Sequence, residues 1–425
     1  MRSPKALVDR IEFYKGKLEA YPKLRDLYAN CAPSTVETAL EECPDGTMFV
    51  LTGDIPAMWL RDSAAQVTNY IQSSTDAEVA GIIEGVINRQ FNYIEIDPYA
   101  NAFNKEPNSM GHVTDLPKQG PWVFERKYEI DSLCYPVRLL YLYWRASGRD
   151  EIIRARLQRI ARIIIDQWRV EQHHMEKSPY LFIRNDYTVP WDTIHNGGKG
   201  NPVVYTGMTW SGFRPSDDGC QYGYLTASEM FAVVVLGYMS EMLREVCSDN
   251  ALADECDALR KEIDEGIRKY CIVEHGKYGK IYACETDGQG NYSMIDDANI
   301  PSLLSIPYIG YASADDEIYK NTRAFLLSRD NPFYFEGKYA KGIGSRHTPD
   351  GYIWHMALVM QGLTSTDPDE IRSLLDMIAA TDADTGYLHE GFNADDPFEF
   401  TREWFTWPCS LFAELVEKCV DNNLI

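Results

Sequence analysis

Apolar residues recur at three- and four-residue steps along most of the chain, which is the spacing of one buried face of an α-helix. Ile83, Val86, Ile87, Phe91 and Ile94 show this spacing clearly. The pattern predicts about a dozen helices. They cover approximately residues 5–20, 62–74, 83–94, 129–147, 153–168, 223–247, 252–270, 300–309, 315–328, 351–363, 366–380 and 402–420. The segment 223–247 is apolar on nearly every side, which indicates a helix buried within a larger assembly.

Long segments rich in Gly, Pro, Asn and aromatic residues separate many of these helices. They cover residues 96–125, 172–221, 272–299, 329–350 and 381–400. Connections of this length are uncommon in compact domains and usually carry function. Because they follow roughly every second helix, we predict a ring of helical hairpins with one site at one end. The strand-like pieces KYGKIYAC and SPYLFIRN are predicted to form hairpins inside these loops.

No linker, low-complexity tract, composition shift or repeat interrupts the 425 residues, so we predict a single domain over residues 1–425. The pattern alone leaves two other arrangements open. These are an irregular α-helical bundle and a pair of packed helical domains.

The charge balance excludes two classes of partner. Lys and Arg number 41 against 64 Asp and Glu, which gives a net charge of −23. Nucleic acids and anionic membranes both require a basic face, so neither is expected as a partner. A neutral ligand fits an acidic surface, and the plentiful Tyr, Trp and Phe suit the apolar faces of sugars as well as a core.

The N-terminal residues contain no apolar signal-peptide core, and the longest apolar run, MFAVVVLGYM, is too short to span a bilayer. The ten cysteines form no CxxC pair and no His/Cys cluster, so they are interpreted as small buried hydrophobes rather than disulfide or zinc ligands. A reducing cytoplasm is therefore the expected location.

Asp217 and Asp218 stand side by side in the aromatic-rich stretch TGMTWSGFRPSDDGCQYGY. A carboxylic acid that serves as a general acid must stay protonated near neutral pH, and burial beside a second carboxylate raises its pKa as required. Alternatively, one Asp caps a helix that begins near Gly223. If one of the two Asp residues caps the helix, the other remains available as a general acid.

Glu390 follows His389 in a loop ending in Gly and Phe. An inverting glycosidase needs a second, ionised carboxylate that deprotonates a water molecule, and a Gly-flanked loop residue can point into a cleft. The alternative for this single Glu is an ordinary solvated carboxylate. Glu403 is interpreted as an acidic residue near a helix N-terminus.

Trp59, Arg61 and Asp62 occur together in GDIPAMWLRDSAAQ, just before an amphipathic helix. Asp accepts hydrogen bonds from sugar hydroxyls, Arg donates a fork of hydrogen bonds, and Trp offers a stacking face. The alternative is that Asp62 or Ser63 caps the helix and Arg61 makes an ordinary ion pair.

Two further segments, DDANIPSLLSIPY and SRHTPDGYIWHM, join polar residues to the start of an apolar helix. Asp297, Asn299, Arg346 and His347 lie in them, at positions where caps are also expected. The histidines do not form HExxH, the Asp clusters lack EF-hand spacing, and no GxGxxG, Walker loop or GxSxG occurs. No metal and no cofactor is predicted.

Taken in order, the motifs resemble those of glycoside hydrolase family 125, from about residue 20 to the C-terminus. The segments that carry the resemblance are DIPAMWLRDSAAQV, ERKYEIDSLCYPVRLLY, TWSGFRPSDDGCQYGYL, DDANIPSLLSIPYIGY, SRHTPDGYIWHMALVMQGLTS, LHEGFN and FTREWFTWPCSLF. The resemblance implies an all-α (α/α)6 barrel and a metal-independent, inverting exo-α-1,6-mannosidase. Its expected partner is an α-1,6-linked mannose oligosaccharide.

The resemblance also implies residue roles. The general acid is expected at Asp218, with Asp217 as the alternative, and the general base at Glu390. Where the family pattern is expected to read His-Glu-Ser-Phe, this chain has Gly391. An inverting pair of carboxyl groups is about 6.5–9.5 Å apart, whereas a retaining pair is about 5–5.5 Å apart. The expected sugar-binding residues are Trp59, Arg61, Asp62, Asp297, Asn299, Arg346, His347 and Trp407.

Two other functions remain in competition. One is an inverting carbohydrate phosphorylase on the same barrel, which would need a cationic pocket for phosphate near Glu390. Only Arg346 and His347 suggest such a pocket in the sequence. The other is a non-catalytic glycan-binding protein, against which the retention of both Asp218 and Glu390 argues.

Overall fold

The computed structural model describes residues 1–425, and helices dominate it. The fifteen α-helices are α1 Lys5–Lys17, α2 Pro22–Cys31, α3 Leu60–Thr68, α4 Ala77–Ile96, α5 Ile130–Ser147, α6 Gln158–Glu171, α7 His174–Lys177, α8 His195–Gly198, α9 Thr226–Glu245, α10 Asn250–Tyr270, α11 Ile306–Ile309, α12 Glu317–Leu326, α13 His355–Thr364, α14 Pro368–Ala380 and α15 Thr406–Asp421. A 3-10 turn, Leu303–Ser305, runs directly into α11. Short π-helical turns cover Thr35–Ala39 and Ile153–Leu157, and a 3-10 turn covers Ile71–Ser73.

Twelve of these helices form two concentric rings. In the inner ring α3 packs on α5, α5 on α9, α9 on α11, α11 on α13, α13 on α15, and α15 closes the ring on α3. The outer helices α2, α4, α6, α10, α12 and α14 alternate with the inner ones along the chain. Six helical hairpins closed into a ring make an (α/α)6 barrel, so the predicted ring is confirmed. The α9 helix is buried along almost its whole length, as its apolar sequence predicts.

The connections of this barrel differ in length at its two ends. Those from an outer helix to the next inner helix are long, and they include residues 97–129, 172–225 and 381–405. Those from an inner to an outer helix are short, such as residues 246–249 and 365–367. All long connections therefore meet at the end of the barrel where the inner helices begin.

Small antiparallel sheets stiffen the long connections. The strands are β1 Leu40–Glu42, β2 Met48–Val50, β3 Met58–Trp59, β4 Ala102–Phe103, β5 Val123–Glu125, β6 Tyr224–Leu225, β7 Ile272–His275, β8 Gly279–Tyr282, β9 Glu285–Thr286, β10 Tyr292–Ser293, β11 Tyr334–Glu336, β12 Lys341–Ile343, β13 Tyr352–Trp354, β14 Gly391–Asn393 and β15 Asp396–Phe400. They pair in the orders β1-β2, β3-β4-β5, β10-β9-β6, β7-β8, β11-β12 and β13-β14-β15. Because β3, β6 and β13 each run straight into an inner helix, these sheets fix where α3, α9 and α13 begin.

The core is one contiguous hydrophobic cluster that includes residues of both rings. The outer helices are amphipathic: α10 buries Leu252, Cys256, Leu259, Ile263 and Ile267 and exposes its charged face. Burial of such a stripe stabilises a helix by roughly 1.5–3 kcal/mol per large apolar side chain. None of the helices combines the length and apolar content needed to cross a bilayer. All ten cysteines are free, and eight of them are buried.

Two expectations about elements were wrong. Helix α2 is absent from the predicted set, although its buried residues Leu24, Leu27, Tyr28 and Cys31 have helical spacing. The segment SPYLFIRN forms no hairpin, because its Ile183 makes one isolated bridge with Leu116 of a different loop. By contrast, KYGKIYAC does supply β8, which pairs with β7.

Candidate active site

The sequence from Arg214 to Asp218 forms a tight loop at the open end of the barrel. The Arg214 N–H donates to the carbonyl oxygen of Asp218 over 2.8 Å, and the Asp217 N–H donates to that of Arg214 over 2.9 Å. Asp217 has a φ of 68°, a left-handed conformation that Asp adopts more readily than most residues. The Arg214 guanidinium forms an ion pair with buried Glu285. The turn therefore gives the two adjacent Asp side chains different surroundings.

Residues from a neighbouring connection hold this loop. The Asn299 side chain donates to the Pro215 carbonyl oxygen over 2.7 Å. The Ser216 hydroxyl donates to Asp297 over 2.7 Å, and Ser345 donates to the same carboxylate oxygen over 3.1 Å. Asp297 and Asn299 were predicted to contact sugar. In the structure their side chains bind the loop that carries Asp218.

The Asp218 side chain is buried, and its Oδ2 has no hydrogen-bond partner within the protein. Burial raises the pKa of Asp218 from its ordinary 3.8 to about 7, and the charge of Asp297 adds to the rise. His347, Arg214 and Lys127 oppose this rise in pKa but do not cancel it. A carboxyl group that holds its proton near neutral pH can donate it to a leaving oxygen.

Asp217 instead faces the buried guanidinium of Arg61, 4.0 Å from it. Arg61 is only 2% exposed and also contacts three other carboxylates: Glu129 at 2.5 Å, Asp131 at 3.1 Å and Asp62 at 3.5 Å. One cation therefore holds together acidic residues from three separate segments. Asp217 belongs to this charged cluster, which we call the Arg61 cluster.

The Arg61 cluster is short of hydrogen-bond partners. Arg61 Nε, Asp62 Oδ2 and Asp217 Oδ1 are buried without one, although Arg61 Nε lies 3.5 Å from Asp62 Oδ2 and Arg61 Nη2 lies 4.0 Å from Asp217 Oδ1. Asp218 Oδ2, outside the cluster, also lacks one. Burial raises the pKa of Asp62 to about 6, although Arg61 and Arg402 oppose the rise. Buried polar atoms are normally satisfied, so several unsatisfied ones grouped together indicate a site for a ligand with many hydroxyl groups.

Glu390 lies directly before β14, where Trp354 of β13 pairs with Gly391. Its Oε2 accepts a 3.2 Å hydrogen bond from the Thr401 hydroxyl, and its Oε1 lies 3.7 Å from the Arg402 guanidinium. A Cβ at Gly391 would lie 3.1 Å from the Trp354 ring and 3.3 Å from the Thr401 hydroxyl. Glycine at this position therefore leaves room for the Thr401 side chain that contacts Glu390.

The backbone beside Glu390 is fixed by two histidines. His355, the first residue of α13, accepts a 3.1 Å hydrogen bond from the His389 N–H at its Nδ1. Burial lowers the pKa of His355 to about 3, so the ring is neutral and Nδ1 can accept. The His389 ring stacks on Phe400 with centroids 3.8 Å apart. Glu390 is thus held by a rigid frame.

Arg402 connects the Glu390 side of the site to the Arg61 cluster. Its guanidinium donates to Asp54 over 2.6 and 2.8 Å, and its charge opposes the rise in the pKa of Asp62. Asp217, on the other side, adds to that rise. Asp62 therefore lies within electrostatic reach of both Arg402, which adjoins Glu390, and Asp217, which adjoins Asp218. Arg61 and Arg402 thus connect Asp62, Asp217 and Glu390, and Asp218 follows Asp217 in the chain.

The remaining predicted sugar-binding residues have varied surroundings. Trp59 packs edge-to-face on Phe124 at 5.7 Å, outside the main core. The Arg346 guanidinium lies over the Trp191 ring at 5.1 Å, next to the residues that follow Asp218. His347 is exposed.

Trp407 differs from these residues because it is only 1% exposed. It lies in the first turn of α15, where its ring contacts Tyr135 edge-to-face at 6.1 Å. In this position it presents almost no accessible ring face, and its role in sugar binding stays a prediction.

The capping alternatives for the two motifs do not occur. Helix α9 begins at Thr226 rather than near Gly223, and Leu225 precedes it with no side-chain cap, so neither Asp217 nor Asp218 caps it. Helix α3 begins at Leu60, which places Asp62 inside its first turn rather than at its cap.

Four residues of this region were missed by the sequence analysis: Lys127, Glu129, Thr401 and Arg402. Glu129 and Lys127 stand in ERKYEIDSLCYPVRLLY, a segment used above only for the family resemblance. Thr401 and Arg402 reach Glu390 across the β14–β15 hairpin, whose turn sequence NADD was a readable signal. The sequence analysis also found no cation near Glu390, whereas the structure places Arg402 beside it.

No group of three or more His, Cys, Asp or Glu side chains is arranged to hold a metal ion. Glu125 shows how the acidic residues near the site are compensated instead. Burial alone would raise the pKa of Glu125, but Lys127, Arg184 and His112 hold it below its ordinary value. These neighbours neutralise its charge without a metal.

Comparison with known proteins gives concordant matches. A family model described as metal-independent α-mannosidase (GH125) matches residues 21–417. The meiotically up-regulated gene 157 protein of Schizosaccharomyces pombe is 37% identical over 443 residues, covering 99% of this chain and 86% of that protein. A structure of a metal-independent α-mannosidase from Streptococcus pneumoniae, in a non-productive complex with α-1,6-mannobiose, matches with a TM-score of 0.96 at 45% identity, covering 99% of each chain. The Saccharomycopsis fibuligera glucoamylase, 12% identical with a TM-score of 0.59 over 98% of this chain and 96% of its own, shares the fold alone.

Proposed function

Because this chain belongs to glycoside hydrolase family 125, the metal-independent α-mannosidases, we propose that it is an inverting exo-α-1,6-mannosidase. Its substrates are N-glycan-like oligosaccharides, from which it removes the terminal non-reducing mannose. The S. pneumoniae relative, bound to α-1,6-mannobiose and studied for the processing of N-linked glycans, supports this linkage and substrate class.

The observation that carries the proposal is the contrast between the two carboxyl groups. Burial raises the pKa of Asp218 to about 7, which keeps it protonated at mildly acidic pH. Glu390 instead lies 3.7 Å from the Arg402 guanidinium and accepts a 3.2 Å hydrogen bond from the Thr401 hydroxyl. One group is suited to donate a proton and the other to accept one.

In the proposed reaction Asp218 transfers its proton to the glycosidic oxygen as the bond from that oxygen to the anomeric carbon breaks. Glu390 takes a proton from a water molecule, whose oxygen attacks the anomeric carbon from the opposite face. The products are β-mannose and the shortened glycan, and the proton gained by Glu390 replaces the one lost by Asp218 through solvent. This geometry requires room for one water molecule between Glu390 and the sugar.

The Arg61 cluster serves substrate recognition in this proposal. The Asp62 and Asp217 oxygens that lack a hydrogen bond accept from hydroxyl groups of the terminal mannose, and Arg61 Nε donates to one. Hydrogen bonds to charged groups contribute roughly 1.5–3 kcal/mol each, so loss of one should raise KM severalfold or more.

The test is proton NMR of freshly started reactions with α-1,2-, α-1,3- and α-1,6-mannobiose, with Asp218→Asn as the inactive control. We expect only the α-1,6 isomer to be cleaved rapidly and the β-mannose anomeric signal to appear first. An initial α-anomer signal would exclude inversion, and rapid cleavage of another isomer would exclude the proposed linkage.

A phosphorylase reaction has less support. Arg402 is the cation beside Glu390, but its Nε and Nη2 are already bonded to Asp54 and the Thr52 carbonyl oxygen. Adding inorganic phosphate to the NMR assay should leave the rate unchanged. Formation of mannose 1-phosphate would establish phosphorolysis instead.

A further inference from the structure

A polar cavity, open to solvent, lies at the end of the barrel opposite the candidate active site, where α5 and α15 end. This cavity of about 680 Å³ is bordered by α1, by the segment that follows α3, and by the C-terminal halves of α5 and α15. Asn69, Arg138 and Glu414 are among the residues that line it. None of them takes part in the proposed hydrolysis.

The position of this lower cavity follows from helix geometry. Asp131 and Arg138 on α5 are seven residues apart, as are Trp407 and Glu414 on α15. Seven residues make two helical turns, so each pair lies on one helix face and about 10 Å apart along the axis. The inward faces of these helices thus contribute to the active-site region above and to the cavity below.

An aromatic layer separates the two compartments. Tyr135, one turn below Asp131, contacts Trp407 edge-to-face at 6.1 Å and Phe231 at 5.1 Å. Its hydroxyl donates to the Ile300 carbonyl oxygen over 3.1 Å. All three rings are buried. This layer, which we call the aromatic floor, closes the active-site region at its base.

Arg138 is the unusual residue of the lower cavity. It is 8% exposed, yet its guanidinium makes no hydrogen bond and no ion pair within the protein. It lies over the Tyr308 ring, 4.8 Å from the centroid, and the Glu414 carboxyl group is close enough to act on its charge. A guanidinium without a hydrogen bond inside the protein keeps its donors available to water or to a ligand.

The other cations that line the lower cavity already have partners. Arg10 forms an ion pair with Glu417 at 2.7 Å, and Arg145 with Glu241 at 3.3 Å. Lys418 donates to the Leu363 carbonyl oxygen over 2.6 Å. Arg138 is therefore the one guanidinium in the cavity that is free to bind.

Glu414 offers a complementary group. Its Oε2 accepts a 3.0 Å hydrogen bond from the Tyr308 hydroxyl, but its Oε1 is buried without a partner. The lower cavity thus places one guanidinium that makes no hydrogen bond beside a carboxyl group whose Oε1 also lacks a partner. Its volume lies within the usual range of small-molecule sites, roughly 300–1,000 Å³.

We propose that the lower cavity binds a small hydroxylated molecule that carries an oxyanion, either phosphate or carboxylate. The Arg138 guanidinium donates hydrogen bonds to the oxyanion, for which its planar fork is well suited. Glu414 accepts a hydrogen bond from a hydroxyl group of the same molecule. The site is independent of the mannosidase proposal, because no residue is shared between them.

Isothermal titration calorimetry at constant ionic strength, balanced with sodium chloride, tests this site. The probes are glycerol 3-phosphate for the phosphate arm, malate for the carboxylate arm, and glycerol as the uncharged control. We expect one equivalent of at least one anion to bind and glycerol not to bind. Binding of only one anion identifies the group that the site prefers, and the absence of binding by both overturns the proposal.

Variants locate the binding. Arg138→Met should weaken it at least tenfold, Arg138→Lys should weaken it less, and Arg329→Met should not change it, because Arg329 is exposed and pairs only with Glu336. Equal binding by Arg138→Met and the wild type would overturn the assignment. If Arg138→Met does not fold, a crystal structure of the wild type soaked with the binding anion decides: density at Arg138 supports the site, and density only elsewhere refutes it.

Discussion

Lys127 donates a 2.8 Å hydrogen bond to the backbone carbonyl oxygen of Asp217, the residue directly before the proposed general acid. The same buried ammonium lies 2.7 Å from Asp192 and 3.7 Å from Glu125. The Lys127 ammonium therefore positions the loop that carries Asp218 through the loop backbone. Lys127 needs no contact with the substrate to do so. Misplacing a catalytic group by about 1 Å can lower activity by about 10²-fold.

The two adjacent Asp residues should respond differently to neutralisation. Asp218→Asn should lower kcat on α-1,6-mannobiose by about 10²–10⁴-fold, the usual contribution of a general acid. The loss should be much smaller on an α-mannoside with an activated leaving group, which departs without protonation. Asp217→Asn should mainly raise KM, because Asp217 belongs to the Arg61 cluster. Steady-state kinetics on both substrates measure this, and the reverse pattern would move the acid to Asp217.

The pH profile should report the proton on Asp218. Because burial and Asp297 raise the pKa of Asp218 to about 7, kcat/KM should fall as the pH rises through about 7. Asp297→Asn removes a negative charge, so it should lower the pKa of Asp218 and move this alkaline limb to lower pH by up to about one unit. Asp254→Asn, an exposed carboxylate on α10, is the control and should leave the limb in place. A limb that moves to higher pH in Asp297→Asn would contradict this account.

Neutralising Asp218 should also stabilise the protein at neutral pH. With a pKa of 3.8 in the unfolded chain and about 7 in the fold, the wild type loses stability as the pH rises from about 4 to 7. The loss is at most about 1.4 kcal/mol per pH unit. The stability advantage of Asp218→Asn should therefore grow between pH 5.5 and 7 and then level off. Urea unfolding at 25 °C measures it, and an advantage that does not change with pH would refute the burial of an ionisable acid.

Thr401 should matter through Glu390. Thr401→Val keeps the shape of the side chain but removes the hydroxyl that donates to Glu390 and accepts from the Gly391 N–H. We expect kcat to fall by about 10-fold or more with little change in KM, because an outer contact orients the base. Thr401→Ser restores the hydroxyl and should restore most of kcat. If Thr401→Ser and Thr401→Val have the same kcat, the hydroxyl has no role in positioning Glu390.

Chelator treatment should leave the rate unchanged, in keeping with the family's metal independence. The measurement is initial rates on α-1,6-mannobiose before and after dialysis against EDTA. A loss of activity that calcium restores would contradict the expectation.

The sequence pattern predicted most of the barrel because its helices are amphipathic over several turns. Helix α2 was missed even though Pro22 at its first position and the spacing of Leu24, Leu27 and Tyr28 were readable. The segment SPYLFIRN was misassigned because its partners lie in distant loops: the Phe182 N–H donates to the Gly198 carbonyl oxygen. Pairing between separate loops leaves no pattern in the local sequence from which it could be predicted.

The site was predicted in part for a similar reason. Motifs pointed to Asp218, Arg61 and Glu390 because each lies in a distinctive local stretch, and their roles stay predictions. The Arg61 cluster as a whole could not be predicted, since Glu129 and Asp217 reach Arg61 only after the barrel brings separate connections together. Burial of Trp407 in the aromatic floor likewise depends on Tyr135 of another helix.

The aromatic floor limits how a glycan can be processed. With Trp407, Tyr135 and Phe231 sealing the base, a sugar enters and leaves through one mouth. A freed monosaccharide at the blind end must wait until the rest of the glycan has withdrawn. If the proposed exo-mannosidase activity holds, each cut should end in complete dissociation, so trimming should be distributive and intermediates of every length should accumulate in turn.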